Sequence, residues 1–206
     1  MGTVVTFDRT GDFLNLTLGR MEELLREGGY CGYINLNTMV NEQGIWPLEF
    51  TCRFGYPGYA ILDSLQETGW GELFRSLVAR STGTFRSRPG YAVGIVMSTP
   101  PFPYSRPAVD VPVGLPVLFD DDLTEGDRRN LHYGEVGMQD GQLVTSGLYG
   151  WTMVVTGTGP TINEAQVHAN WLADRVLIPN VRYRRDIGSR LIAGDLQRVE
   201  QLGLLQ

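Results

Sequence analysis

The sequence predicts an α+β protein, on three observations. Apolar residues recur at helical spacing through residues 13–27, where Leu14, Leu18, Met21 and Leu25 fall three and four apart, and again after Pro57. Alternation of apolar and polar residues marks 33–40 and 45–54 as two strands of a hairpin. Beyond residue 88 the pattern changes to several short strands followed by a capped helix.

Taken in order, residues 3–7 read as a strand, and the helix over 13–27 is stopped by Gly28-Gly29. The hairpin turns at Asn41-Glu42-Gln43-Gly44. A second helical stretch contains Ala60, Ile61, Leu65, Leu73, Phe74, Leu77 and Val78, bent around Gly69 and Gly71. The small, polar, basic run 79–90 marks a boundary near residue 88, giving two domains, 1–88 and 89–206. Strands are expected at 91–98, 109–119, 131–138, 142–148 and 151–156, with an irregular proline-rich loop from Pro100 to Pro107. The helix from residue 162 is announced by a capping box, Thr161 with Glu164, and by Ile162, Ala165, Ala169, Leu172 and Val176 on one face.

Composition narrows the function. The apolar share of 42 % over 206 residues is enough for a real core. A net charge of −6 gives no basic footprint for nucleic acid or an anionic membrane, and no apolar run approaches the ~18 residues of a membrane span. All 17 basic residues are arginine. Schiff-base, biotinyl and P-loop lysine chemistries are therefore excluded from this chain, and a phosphate must be held by arginine, backbone amides or metal. Cys31, Cys52, His132 and His168 lack zinc-site spacing. A reduced, cytoplasmic protein is expected, with both thiols as inert core residues. His168 lies off the apolar stripe of its helix and reads as a surface residue, and nothing in sequence places a carboxylate near His132. Met1-Gly2 followed by Thr6 fits the myristoylation pattern formally, but Val4 and Val5 favour a strand.

The hairpin carries the chemistry. In its second strand Trp46, Leu48, Phe50, Cys52 and Phe54 alternate with Pro47, Glu49, Thr51 and Arg53, so one face is expected to be apolar and buried and the other polar. A three-residue loop with Gly44 in the left-handed region pairs Asn41 with Ile45, Asn37 with Glu49 and Asn35 with Thr51. Asn35, Asn37, Glu49, Thr51 and Arg53 then gather as oxygen ligands beside one cation, a donor set suited to Mg²⁺ and a phosphate or carboxylate. A solvated outer face is the plain alternative.

The run Tyr33-Ile34-Asn35-Leu36 through Pro47-Leu48-Glu49-Phe50-Thr51-Cys52-Arg53-Phe54-Gly55-Tyr56-Pro57 resembles the ATP-grasp signature of the phosphoribosylamine–glycine ligases, with its Glu-Phe-Asn-x-Arg-Phe-Gly-Asp-Pro segment. Tyr91 to Met97, with Tyr104 beyond, Gly141 to Gly147, Val154 to Ala165, and Tyr183-Arg184-Arg185-Asp186-Ile187-Gly188 resemble later segments of that family in the same order. The resemblance implies the second half of an ATP-grasp domain, an antiparallel sheet with helices, followed by a small mostly-β C-terminal domain with helices.

It also implies ATP and Mg²⁺ as cofactors and small-molecule substrates joined by an ATP-dependent carboxylate–amine ligation. Glu49 and Thr51 would be metal ligands, Glu49, Thr51, Arg53 and Asn37 cofactor-binding, and Arg53 catalytic. Thr51 stands at the family's metal-binding asparagine, Tyr56 at its aspartate and Gly58 at the glutamate after its proline. The family's N-terminal ATP-grasp half, with the phosphate lysines, must come from a missing segment or partner subunit, so the chain alone is expected to be inactive. A non-catalytic binding or assembly module is the alternative, and a ligase with another acceptor a third reading. Arg182, Arg184 and Arg185 beside Asp186 read as surface ion pairs.

Overall fold

Two apolar runs that share no alternation, Tyr91–Ser98 and Trp151–Gly159, form the centre of a four-stranded antiparallel sheet and are covered on both faces. The computed structural model describes residues 1–81, 85–103 and 113–205. In chain order the elements are β1 (Gly2–Thr6), α1 (Asp12–Leu16), a 3-10 turn (Leu18–Met21), α2 (Glu22–Glu27), β2 (Asn35–Asn41), β3 (Gly44–Thr51), α3 (Gly58–Leu65) and α4 (Trp70–Val78). They continue with β4 (Tyr91–Ser98), β5 (Leu118–Phe119), α5 (Glu125–Arg128), β6 (Leu131–Tyr133), β7 (Val136–Gln139) and β8 (Gln142–Thr145). The last are β9 (Trp151–Gly159), α6 (Ile162–Ala173), β10 (Val176–Leu177), a π-type turn (Leu191–Asp195) and α7 (Leu196–Gln201).

The main sheet has the order β1-β4-β9-β6. Along β4 and β9, alternate residues enter two cores. Val93, Ile95, Met97, Met153 and Val155 pack with Ala165, Ala169 and Leu172 of α6. Ala92, Val96 and Val154 pack with Ile61 and Leu65 of α3 on the other face. Each fully buried Val, Ile, Leu or Met contributes roughly 1.5–3 kcal/mol. Such a strand must be apolar on both faces, which explains the missing alternation.

Glycine sets how closely the helices approach. A Cβ on Gly157 would collide with the backbone nitrogen of Ala169 and the carbonyl of Ala165, and one on Gly94 with the Ile61 side chain. The α6 capping box is present in full: Thr161 accepts from the Glu164 backbone N–H, and the Glu164 carboxylate accepts from Thr161. β7 and β8 are joined at Asp140-Gly141, both with positive φ (50° and 80°), as a two-residue hairpin turn requires. β1, from before residue 88, pairs with β4, from after it, so the sheet spans that division.

Several expectations are corrected. The helix over 13–27 is broken into α1, a 3-10 turn and α2, none with a buried residue. The apolar side of the hairpin is not buried: Trp46 is 51 % and Leu48 61 % exposed, and Phe50 is exposed too. β2 and β3 form a two-stranded sheet of their own. Cys31 and Cys52 are exposed rather than core residues. His168 is half-buried and accepts a hydrogen bond from the Thr158 backbone N–H at 3.2 Å. Tyr104 and residues 109–112 of the strand expected at 109–119 lie outside the described residues, and of 113–119 only Leu118–Phe119 form a strand, β5.

The two glycines give a comparison. Gly157→Ala is expected to lower unfolding free energy by about 1–3 kcal/mol in urea, because it meets helix backbone. Gly94→Ala should lose less, since the Ile61 side chain can rotate away. The reverse ranking would show that the α6 approach is not the tight one.

Candidate functional site

The candidate site is built on β2 and β3. Their turn is tighter than expected, pairing Asn41 with Gly44 rather than with Ile45, and Val40 with Ile45. Gly44 adopts φ +150°, outside the compact left-handed region. A bulge between Asn37 and Thr38 then shifts the register by one residue, at the point where Pro47 leaves β3 without a donor. The shift restores the expected pairs Asn37 with Glu49 and Asn35 with Thr51.

It also moves Trp46. Met39 and Trp46 are paired, and strand alternation puts them on the face of Asn37 and Glu49 instead of the opposite one. The opposite side, with Leu36, Thr38, Ile45, Pro47 and Phe50, meets Leu16 and Met21 across a hollow of about 300 Å³.

On the polar face the side chains form a chain of hydrogen bonds. The Asn35 amide donates to the Asn37 Oδ1 at 3.0 Å, and the Asn37 amide donates to Glu49 Oε1 at 2.9 Å. Thr51, half-buried, sits opposite Asn35. Arg53 is not part of this group. β3 ends at Thr51, and the Arg53 guanidinium donates to the Phe54 carbonyl at 3.1 Å. It lines a separate hollow of about 600 Å³ with Cys31, Cys52, Tyr33 and Phe74.

Mg²⁺ is usually held by one or two carboxylates, with waters and substrate phosphates completing six oxygens. The ribbon offers one carboxylate, Glu49, the Thr51 hydroxyl and the Asn35 amide oxygen, which fits one side of such a site. Among the described residues no group of three or more His, Cys, Asp or Glu side chains could hold a metal by itself.

Two arrangements outside this ribbon are invisible in the sequence. Tyr56 stacks on Trp151 with ring centroids 5.3 Å apart and planes 9° apart. Burial first, and the Glu135 carboxylate second, push the Tyr56 phenol up to about 12. Glu135 itself accepts from the backbone N–H groups of Tyr149, Gly150 and Trp151, the shortest at 2.6 Å. The stack therefore ties the segment following β3 to β9.

The second arrangement surrounds His132. Its Nε2 lies 3.1 Å from the Thr156 hydroxyl, which in turn accepts from Ser64 at 2.7 Å, and its Nδ1 lies 4.0 Å from Asp63 of α3. Burial lowers the His132 pKa, against a smaller opposing pull from Asp63. Thr156 is fully buried, and this Asp–His–hydroxyl series links α3 to β6 and β9. Only distant residues contribute, 63 with 132 and 156, and no local spacing signals them. Of the arginines near Tyr183, Arg184 pairs with Asp186 and Arg185 with Asp174.

No family model matches the sequence. Over 179 residues the chain is 32 % identical to the phosphoribosylamine–glycine ligase of Mycobacterium bovis, covering 84 % of this chain and 39 % of that one. The structure of phosphoribosylamine–glycine ligase from Thermotoga maritima superposes with a TM-score of 0.68 at 25 % identity, over 91 % of this chain and 46 % of that one. The biotin carboxylase domain of a Hydrogenobacter thermophilus 2-oxoglutarate carboxylase, solved with ADP magnesium salt and bicarbonate, shares the fold at 10 % identity and a TM-score of 0.53, over 96 % of this chain and 49 % of that one. The chain spans about two-fifths of the length of the curated relatives it matches.

Two measurements test these contacts. Tyr56→Ala should lose about 0.5–1.5 kcal/mol of stability in urea while Tyr56→Phe keeps it, because the ring stack and not the hydroxyl makes the contact. Equal losses would assign the contact to the hydroxyl. For His132, the folded state binds its proton less readily than the unfolded chain, whose value is near 6.5. Stability present above pH 6.5 is then lost as pH falls toward the folded value. Unfolding at pH 7.5 and 5.5 should show that fall in the parent chain and a shallower one in His132→Asn; parallel curves would remove His132 as the cause.

Proposed function

We propose that this chain, which resembles the phosphoribosylamine–glycine ligases in sequence and fold, supplies the C-terminal portion of an ATP-dependent carboxylate–amine ligase. It acts with a further ATP-grasp segment, on the same polypeptide or on a partner. The observation that carries the reading is the hairpin. It pairs Asn37 with Glu49 and Asn35 with Thr51, within the segment that resembles the family signature, on a ribbon whose Met39, Trp46 and Leu48 are exposed. Relatives more than twice as long have additional chain that could cover such a face.

In this reading residues 1–88 carry the ATP-grasp part and residues 89–206 the C-terminal part. The chemistry is an acyl-phosphate ligation. A carboxylate oxygen attacks the γ-phosphorus of ATP and ADP leaves; the amine nitrogen then attacks the acyl carbon, phosphate leaves, and the amine gives up a proton. Glu49 and Thr51 would hold Mg²⁺, which supplies charge neutralisation at the phosphates. Asn37 orients the Glu49 carboxylate through its amide, and must rotate if its oxygen is to face the ion. Arg53 lies past the end of β3 with its guanidinium exposed, and from there it would grip a phosphate or carboxylate by two parallel hydrogen bonds. The cytoplasm, where free ATP and reduced thiols coexist, suits this chemistry.

One observation favours the second reading, a non-catalytic binding or assembly module. Tyr56 occupies the position of the family's aspartate and is committed to Trp151, so it contributes packing where the family places a carboxylate.

The test has two arms. The 206-residue chain alone should show no micromolar MgATP binding by calorimetry and no ATP-dependent amide formation from glycine and phosphoribosylamine. Supplied with the N-terminal half of a relative, it should gain activity, and Glu49→Ala should lower that activity by about 10- to 100-fold or more. Tight MgATP binding by the chain alone would refute the need for a complement. Reconstituted activity indifferent to Glu49→Ala would remove the metal role, and failure to gain activity would favour the module.

A further inference from the structure

Cys31 and Cys52 stand at the two ends of the β2–β3 hairpin, and both thiols are exposed. The segment before β2 bends at Gly32, where the Tyr30 hydroxyl donates to the Tyr33 carbonyl at 2.6 Å. That bend folds Cys31 back, so that Cys31 and Cys52 line the same 600 Å³ hollow, with Tyr33, Phe54 and Phe74 as its aromatic wall. The Cys31 thiol donates to the Leu77 carbonyl at the end of α4, at 3.2 Å. Neither thiol is held in a packed core.

We propose that Cys31 and Cys52 are a dithiol site that closes to an intramolecular disulfide by exchange with a low-molecular-weight disulfide. The thiolate of one cysteine attacks a sulfur of the small disulfide and expels one small thiolate, which takes up the proton that the cysteine lost. The second cysteine, as thiolate, then attacks the protein sulfur of the mixed disulfide and expels the other small thiol. Two electrons pass from the protein sulfurs to the small disulfide, and two protons accompany them. The hairpin gives this bond a structural effect: a two-stranded ribbon with one open face is weakly held, and a covalent tie across its base fixes both ends. The tie also spans the hollow that Arg53 lines, though the assignment of the dithiol stands independently of any role for Arg53.

The test uses the full reduced chain treated with oxidised glutathione, then alkylated with iodoacetamide. Trypsin cuts after Arg26 and Arg53, so both cysteines fall in one peptide, 27–53. The expected product is that peptide lighter by two hydrogens, without alkyl or glutathione groups, formed faster in native buffer than in concentrated urea. Cys31→Ser and Cys52→Ser should each stop at a single glutathione adduct. Two adducts, two alkyl groups, a disulfide between chains, or equal rates in buffer and urea would each overturn the proposal.

Discussion

The structure depends on the sandwiching of β4 and β9 between α3 and α6. The middle of both strands is closed to water on both faces, and the two helices come close only because Gly94 and Gly157 leave room for them. Everything else in the molecule is hung from that layer. β1 extends it on one edge and β6 on the other. The Asp63–His132–Thr156 contacts lock α3 down, and the Tyr56–Trp151 stack anchors the segment following β3. Among the described residues, α3 and α6 cover the two faces of its central strands.

The candidate site lies at the periphery. The β2–β3 ribbon has its own two-stranded sheet, exposed aromatic and aliphatic side chains, and a polar row organised by Asn35 and Asn37 around Glu49. A carboxylate on an open ribbon is hydrated and screened, and binds a cation weakly unless other groups surround it. That is the physical ground for reading the ribbon as one wall of a site that needs a second wall. Arg53, beyond the end of β3, faces a different hollow, so the ribbon brings together the oxygen donors but leaves the cation outside their group.

Much of the layer was legible in the residues. The apolar runs at 91–98 and 151–156, the Thr161–Glu164 capping box, and the pairing of Asn37 with Glu49 and Asn35 with Thr51 follow from periodicity and short-range hydrogen bonding, which the sequence carries directly. The expected pairs were reached by a different route, a tighter turn compensated by a bulge beside Pro47. Sequence spacing cannot distinguish the two, since both give the same register at Glu49. Their consequence differs for Trp46, which changes face.

What the sequence alone determined was the α+β class, strands at 91–98 and 151–156, the resemblance to the phosphoribosylamine–glycine ligases, and the absence of lysine chemistry. The tertiary structure decided which apolar faces are covered. Trp46, Leu48 and Phe50 alternate as buried residues do, yet remain open, because burial depends on what lies opposite and alternation records only which side a residue is on. The same reason governs Cys31 and Cys52, and the meeting of His132 with Asp63 and of Tyr56 with Trp151: contacts across long stretches of chain leave no trace in local spacing.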